Sequence, residues 1–234
     1  MRPIRALGRL MVAVTLMLAS PAYAHHGRDF LLVQTAHLPE SGSVFGIARQ
    51  DYVSEDSDTF ELAPALLVGV SDWLAFEVHS HIEKQSGESF EYESTAPALH
   101  VRLTSRSSPF AVGASMEYEV ASDSDESDVA EGTAIVGYES SEWQCAANVR
   151  VESEVDSDES AEWGYAFGAR RGFREHHAVG IELEGSFESR GSDELMLGYY
   201  FESSSALTLN LGIGTALDEG PDLTLRTAII WQFR

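Results

Sequence analysis

Cysteine, basic residues and long apolar runs are all scarce in this sequence. Its 234 residues include one cysteine, Cys145, so no disulfide can form within the chain. Fifteen lysines and arginines stand against 38 acidic residues, a net charge of −23. This balance excludes nucleic acid as a partner, because binding phosphates requires a cationic surface. After residue 24, no apolar run approaches the roughly 20 residues that a membrane-spanning helix needs.

The first 24 residues have the organisation of a secretory signal peptide. Three arginines lie within the first nine residues, residues 10–18 form a short apolar run, and Ala22-Tyr-Ala24 offers a cleavage site before His25. Removal of this segment leaves 12 bases against 38 acids, a net charge of −26. We therefore expect residues 1–24 to direct export through the general secretory route.

The last stretch of the chain, Asp222 to Arg234, alternates with the period of two that is typical of a strand. An exposed apolar strand would invite edge-to-edge pairing in a soluble protein, whereas a closed membrane barrel has no edge. The stretch resembles the C-terminal strand of Gram-negative outer-membrane β-barrels, which usually ends on an aromatic residue that the assembly machinery reads. The resemblance implies an assembly signal at Trp231 and Phe233, although Arg234 follows here.

Short alternating segments recur throughout the rest of the chain and predict an all-β, transmembrane, antiparallel up-and-down barrel of about twelve strands. The predicted strands are Ser43–Val53, Thr59–Gly69, Trp73–Lys84, Phe90–Thr104, Phe110–Ala121, Val129–Glu139, Trp143–Ser153, Ala161–Gly172, Ala178–Glu188, Glu194–Glu202, Leu207–Leu217 and the closing stretch.

The connections between these segments alternate between short turns and acidic loops. Outer-membrane barrels have short periplasmic turns and longer extracellular loops, so we expect the acidic loops, such as 122–128, to face outward. Residues 43–234 would form the barrel and residues 25–42 a periplasmic N-terminal segment. Ten or fourteen strands remain open, because Arg28 to His37 could add a strand or form a plug. A periplasmic β-sandwich is the alternative fold, since its strands also alternate.

The polar face of each strand predicts the lining of the lumen, because charged side chains facing lipid cost about 2–4 kcal/mol for Arg or Lys at mid-bilayer. Acids outnumber bases on this face, which favours a water-filled path. Pairing of its arginines with neighbouring glutamates would instead fill the lumen. The predicted lining residues are Glu77, His79, His81, Glu83, His100, Arg102, Glu117, Glu119, Arg150, Glu152, Arg170, Glu182, Glu184 and Arg226.

Two histidines and two glutamates share one face of the segment from Trp73 to Lys84. Imidazole and carboxylate together suit a transition metal, but alternation alone cannot bring ligands to one ion. We therefore predict neither a metal nor a cofactor. Ser80 falls on the face opposite His79 and His81, and a Ser–His pair must lie within hydrogen-bond reach. We accordingly predict no catalytic residue and no enzymatic activity.

The signal peptide, the hairpin Glu61–Glu77 and the closing strand together resemble small porin-like outer-membrane barrels, including those grouped with the phenol-degradation (MetA) pathway. The resemblance implies passage of small solutes. With the acidic lining, we expect a narrow, cation-preferring passage; the alternative is a non-conducting structural or surface-interaction barrel. The expected partners are outer-membrane lipid and lipopolysaccharide, the barrel-assembly machinery, an unidentified small solute, and divalent cations at the acidic loops.

Overall fold

The structure is a computed structural model and describes residues 28–55, 57–124, 126–155, 157, 160–187, 193–203, 206–218 and 220–233. The predicted signal peptide, residues 1–24, lies outside the described residues. Among those residues, no helix is long and apolar enough to span a membrane.

The described residues form twelve strands that close into a barrel, in which each strand pairs antiparallel with its neighbours in sequence and β12 pairs with β1. Closure removes every exposed sheet edge. The predicted fold is therefore confirmed, with twelve strands, and the sandwich is wrong. The strands are β1 (Val44–Ser54), β2 (Thr59–Ser71), β3 (Leu74–Gln85), β4 (Glu91–Arg102), β5 (Phe110–Ala121), β6 (Val129–Glu139), β7 (Trp143–Glu154), β8 (Glu162–Arg174), β9 (His177–Ser186), β10 (Glu194–Ser203), β11 (Leu207–Ala216) and β12 (Leu223–Phe233).

The two ends of the barrel differ in their connections. One end, the turn end, carries the turns after β2, β4, β6, β8 and β10, together with the start of β1 and the end of β12. The opposite end, the loop end, carries the acidic connections, including 55–58 and 122–128. Strands that begin after a turn therefore run from the turn end to the loop end, which fixes the height of each lumenal side chain.

The two faces of the barrel wall differ in chemistry. The outer face carries large apolar side chains that are 37 to 71% exposed, such as Met116, Phe110 and Leu197. The inner face carries buried polar and charged side chains such as Glu77 and Asn210, with small residues such as Ala96 between them. Strand alternation produces this division, because successive side chains point to opposite faces.

Residues 28–39, which we call the plug, lie inside the barrel before β1 begins. Phe30, Leu31 and Val33 are each at most 6% exposed and pack against inward residues of β7, β8, β10 and β12. Leu38 packs against a second group of buried residues near the turn end. No residue from 28 to 43 is in a strand. The apolar residues of the plug therefore form the core of the lumen.

Candidate functional site

The structure places all fourteen predicted lining residues on the inward face of the wall. They fall into three groups by position. Eight line a cavity in the loop half of the lumen, four lie deeper beside the plug or near the turn end, and two lie toward the loop rim. In that order they are Glu77, His79, His81, Glu117, Glu119, Arg150, Glu184 and Arg226; His100, Arg102, Arg170 and Glu182; and Glu83 and Glu152.

Glu182, on β9, is the main acceptor for the plug backbone. Its carboxylate accepts the N–H groups of Leu31 at 2.9 Å, Leu32 at 2.6 Å and Val33 at 3.1 Å. The hydroxyl of Tyr200 donates to the same carboxylate at 2.5 Å. Glu182 is fully buried, and a buried carboxylate needs such donors because its desolvation is costly. This side chain therefore fixes the middle of the plug.

Arg28 at the start of the plug binds Glu77 on β3. Its Nε and Nη2 groups donate to the two carboxylate oxygens at 3.3 and 2.7 Å. His100 Nε2 lies 3.2 Å from one oxygen of Glu77, and His79 Nδ1 lies 3.6 Å from the other. Of the four residues on that face, Glu77 and His79 therefore lie together beside Arg28, whereas His81 contacts Glu61 at 2.9 Å and Glu83 lies toward the loop rim.

A second polar cluster holds the plug near the turn end. Asp29 accepts hydrogen bonds from Thr35 at 2.7 Å and from Gln144 at 2.9 Å. His37 lies with Nδ1 3.0 Å from Asp29 and with Nε2 3.1 Å from Glu139. Burial lowers the pKa of His37, but its hydrogen bonds and charge interactions with the two carboxylates outweigh that effect and raise the pKa to about 9. His37 is therefore a cation at neutral pH.

Above the plug, the loop half of the lumen encloses a cavity of about 300 Å3, with plug residues 30–34 as its floor. The four glutamates Glu117, Glu119, Glu131 and Glu152 lie on one wall, on neighbouring strands β5, β6 and β7. A separate cavity of about 400 Å3 opens at the turn end. The plug lies between the two cavities.

Pairing of the four lumenal arginines Arg102, Arg150, Arg170 and Arg226 with glutamates was the alternative to a water-filled path, and three of the four do contact acids. Arg150 lies 3.4 Å from Glu184, and Arg170 Nη2 lies 2.9 Å from Glu202. Arg226 Nε lies 3.0 Å from Asp51, an acid that was not among the predicted residues. Arg102 differs, because it donates to backbone carbonyls, those of residues 104 and 105 at 3.0 Å and that of Ala36 in the plug at 3.5 Å.

The remaining sequence predictions have definite positions in the structure. In the described part of the chain, no group of three or more His, Cys, Asp or Glu side chains is arranged to hold a metal ion. Ser80 Oγ lies 2.9 Å from the hydroxyl of Thr95. The ring of Trp231 stands over Gly46 on the adjacent strand, and Phe233 is 46% exposed at the turn end.

Sequence reasoning placed several of the residues that hold the plug on the inward face but did not identify the plug as what they contact. Asn148 accepts the N–H of Gln34 at 2.8 Å and donates to its carbonyl at 3.0 Å. Strand alternation places Asn148, Gln144 and Tyr200 on the inward face. Nothing in the sequence around them identifies the segment that they contact.

The sequence matches no protein-family model and no curated protein. Solved structures with a similar fold are outer-membrane channels and porins. An outer membrane channel from Pseudomonas putida F1 is 11% identical, with a TM-score of 0.65 over 82% of this chain and 96% of that one. The KdgM porin is 10% identical, with a TM-score of 0.61 over 81% and 99%. The NanC porin is 7% identical, with a TM-score of 0.61 over 80% and 100%. The fold of this chain is thus that of outer-membrane channel and porin barrels.

Proposed function

We propose that this chain is an outer-membrane barrel that passes small solutes through its lumen with a preference for cations, and that the plug restricts this passage. The observation that carries the proposal is the polar cavity of about 300 Å3 in the loop half, enclosed by a barrel with an apolar outer face. A polar interior within an apolar exterior is the arrangement of membrane barrels that carry water-soluble molecules.

The outer-membrane location is supported by the exterior. Thirty large apolar side chains of the described residues are 37 to 71% exposed, far more than a water-soluble monomer normally leaves in contact with water. Lipid would cover them. The same proposal includes export through the secretory route and contact with lipopolysaccharide. It also includes recognition of Trp231 and Phe233 by the assembly machinery.

The proposed orientation places the acidic loops at the cell surface, where divalent cations would reduce the repulsion between carboxylates that lie within a Debye length of each other, about 8–10 Å. An epitope tag inserted after Ser124 should be accessible to antibody on intact cells. Labelling that requires permeabilised cells would mean that the barrel is inverted.

The cation preference is supported by the charges around the cavity. On the wall formed by β5–β7, four glutamates stand beside one arginine, Arg150. Across the lumen, Arg226 and Arg49 are close to the carboxylates of Asp51 and Glu61. Acids therefore outnumber bases on the β5–β7 wall, and carboxylates that line a pore favour cations.

The second candidate, a non-conducting structural or surface-interaction barrel, is favoured by the plug itself. Its apolar side chains are buried in contact with inward residues of the wall, which would leave little space for ions. Planar-bilayer recordings of the purified protein distinguish the two candidates. The proposal expects small conductance steps whose reversal potential in a KCl gradient has the sign of a cation-selective pore. Complete absence of steps would favour the non-conducting barrel.

A further inference from the structure

We propose that the floor of the loop-half cavity is a recognition site for small guanidinium compounds, anchored by Glu77 and occupied by the plug's own Arg28. The inference deepens the proposed function and rests on it in one respect, because a solute must reach this cavity through the barrel. The solutes would be small guanidinium compounds. Arg28 would be an internal ligand of Glu77, which such a compound replaces.

The first support is the geometry of the pair. Two N–H groups of Arg28 reach the two oxygens of one carboxylate, at 3.3 and 2.7 Å. A guanidinium makes such a planar, two-point contact, whereas an ammonium acts as a point charge. The chemistry that Glu77 recognises here is therefore that of a guanidinium rather than of cations in general.

The second support is the difference in burial between the partners. The Glu77 side chain is 3% exposed and that of Arg28 is 23% exposed. Both residues line the cavity of about 300 Å3, a volume at the lower limit of small-molecule sites, which span roughly 300–1,000 Å3. The carboxylate is thus fixed in the wall, and a guanidinium can approach it from the cavity.

The third support is the rigidity of Glu77. It lies on β3, which pairs with β2 and β4 along its length. His100 and His79 contact its two oxygens from the lumen wall. A side chain on a strand that is paired on both sides, with a histidine ring beside each carboxylate oxygen, keeps its orientation when a ligand leaves, which is the arrangement of a preorganised site.

Arg28, in contrast, belongs to a segment with no strand hydrogen bonds of its own. Its carbonyl accepts a hydrogen bond from Asn210 at 3.3 Å. Displacement of the Arg28 side chain would leave the contacts of the plug with Glu182 in place. A solute with a guanidinium group can therefore exchange with Arg28 without unfolding the barrel.

Chemical rescue of Arg28→Ala tests this assignment, with the thermal midpoint of the barrel in detergent as the readout. Arg28→Ala should lower Tm, and methylguanidinium at millimolar concentration should restore it in a saturable manner. The wild type should not respond, because the tethered arginine holds the site at a high effective concentration. Urea, the neutral analogue, and methylammonium, the point-charge analogue, should each restore little.

The matched control is the double variant Arg28→Ala/Glu77→Gln, which should show no rescue by methylguanidinium. Equal rescue of the double variant, equal rescue by methylammonium, or no rescue at all would overturn the assignment. If Arg28→Ala does not insert, Arg28→Lys serves instead, and methylguanidinium must then raise its Tm more than urea does. This readout needs no conductance, so a barrel that binds methylguanidinium but forms no channel would contradict the proposed function and leave the site intact.

Discussion

At the scale of single residues, one carboxylate fixes the plug. Glu182 accepts three consecutive backbone N–H groups and one hydroxyl in a fully buried position. Hydrogen bonds to a charged group contribute about 1.5–3 kcal/mol each. Glu182→Gln removes the charge and half of the acceptor capacity. We expect it to weaken attachment of the plug by several kcal/mol and to raise the mean conductance in bilayer recordings.

Glu184→Gln is the matched control for this substitution. It lies two residues further along the same strand, on the same face, and contacts Arg150 at 3.4 Å rather than the plug. Its conductance should stay near that of the wild type apart from a change in ion preference. Equal conductance of the Glu182→Gln variant and the wild type would show that this carboxylate does not hold the plug closed.

His37 makes attachment of the plug depend on pH. Its pKa rises from 6.5 in the unfolded chain to about 9 in the folded one, because Asp29 and Glu139 stabilise its charge more than burial destabilises it. A raised pKa contributes stability that is complete below about pH 6.5 and is lost as the pH rises through 9. The contribution is at most about 3 kcal/mol.

We therefore expect Tm of the wild type to fall between pH 6.5 and 9. His37→Gln should remove this part of the pH dependence, because glutamine keeps hydrogen-bonding capacity without a titrating charge. Parallel pH profiles for the two proteins would contradict the role of His37.

At the scale of elements, the chain reaches the first strand through a close backbone contact. The N–H of Gly42 donates to the carbonyl of Gly69 at 2.7 Å, and the N–H of Gly69 donates to Ser43 at 2.9 Å. A Cβ at position 69 would collide with the carbonyl of Glu40. We expect Gly69→Ala to destabilise the barrel by about 1–3 kcal/mol, because backbone must move to admit it.

Gly132→Ala provides the comparison, since a Cβ there meets only the side chain of Val151 at an ordinary 3.6 Å. Its heat-modifiable migration on gels should change at the same temperature as that of the wild type. Gly69→Ala should change at a lower temperature, and equal temperatures for the two variants would exclude a tight contact at residue 40.

The strands were predictable from the sequence because lipid and lumen impose opposite chemistry on successive residues. The predicted limits of Phe110–Ala121 and Val129–Glu139 agree with the structure at both ends. The contacts of the plug were not predictable. Residues 30–33 lack alternation, and their partner Glu182 lies about 150 positions away in sequence. Local periodicity carries no information about a pairing of that range.

At the scale of the whole molecule, charge is distributed unevenly along the barrel axis. Around the plug, the acids Glu77, Glu182 and Asp29 are occupied by plug or wall donors. In the loop half, Glu119 and Glu117 are contacted by a serine hydroxyl and by His79 rather than by arginine. The negative charge that an entering ion would meet is therefore concentrated between the acidic loops and the plug.

The β5–β7 wall is the part of the molecule where selectivity can be separated from folding. Replacing Glu117, Glu119 and Glu152 together by Gln removes three charges and leaves Glu77 and Glu182 in contact with the plug. Because the field of a charge-lined cavity concentrates counter-ions, the cation preference should weaken several-fold while Tm stays within a few degrees.

Arg150→Gln is the opposite control and should strengthen the preference. Reversal potentials in a KCl gradient measure both changes. An unchanged preference in the triple variant would mean that ions are selected elsewhere, with the contacts between the plug and the wall as the next candidate.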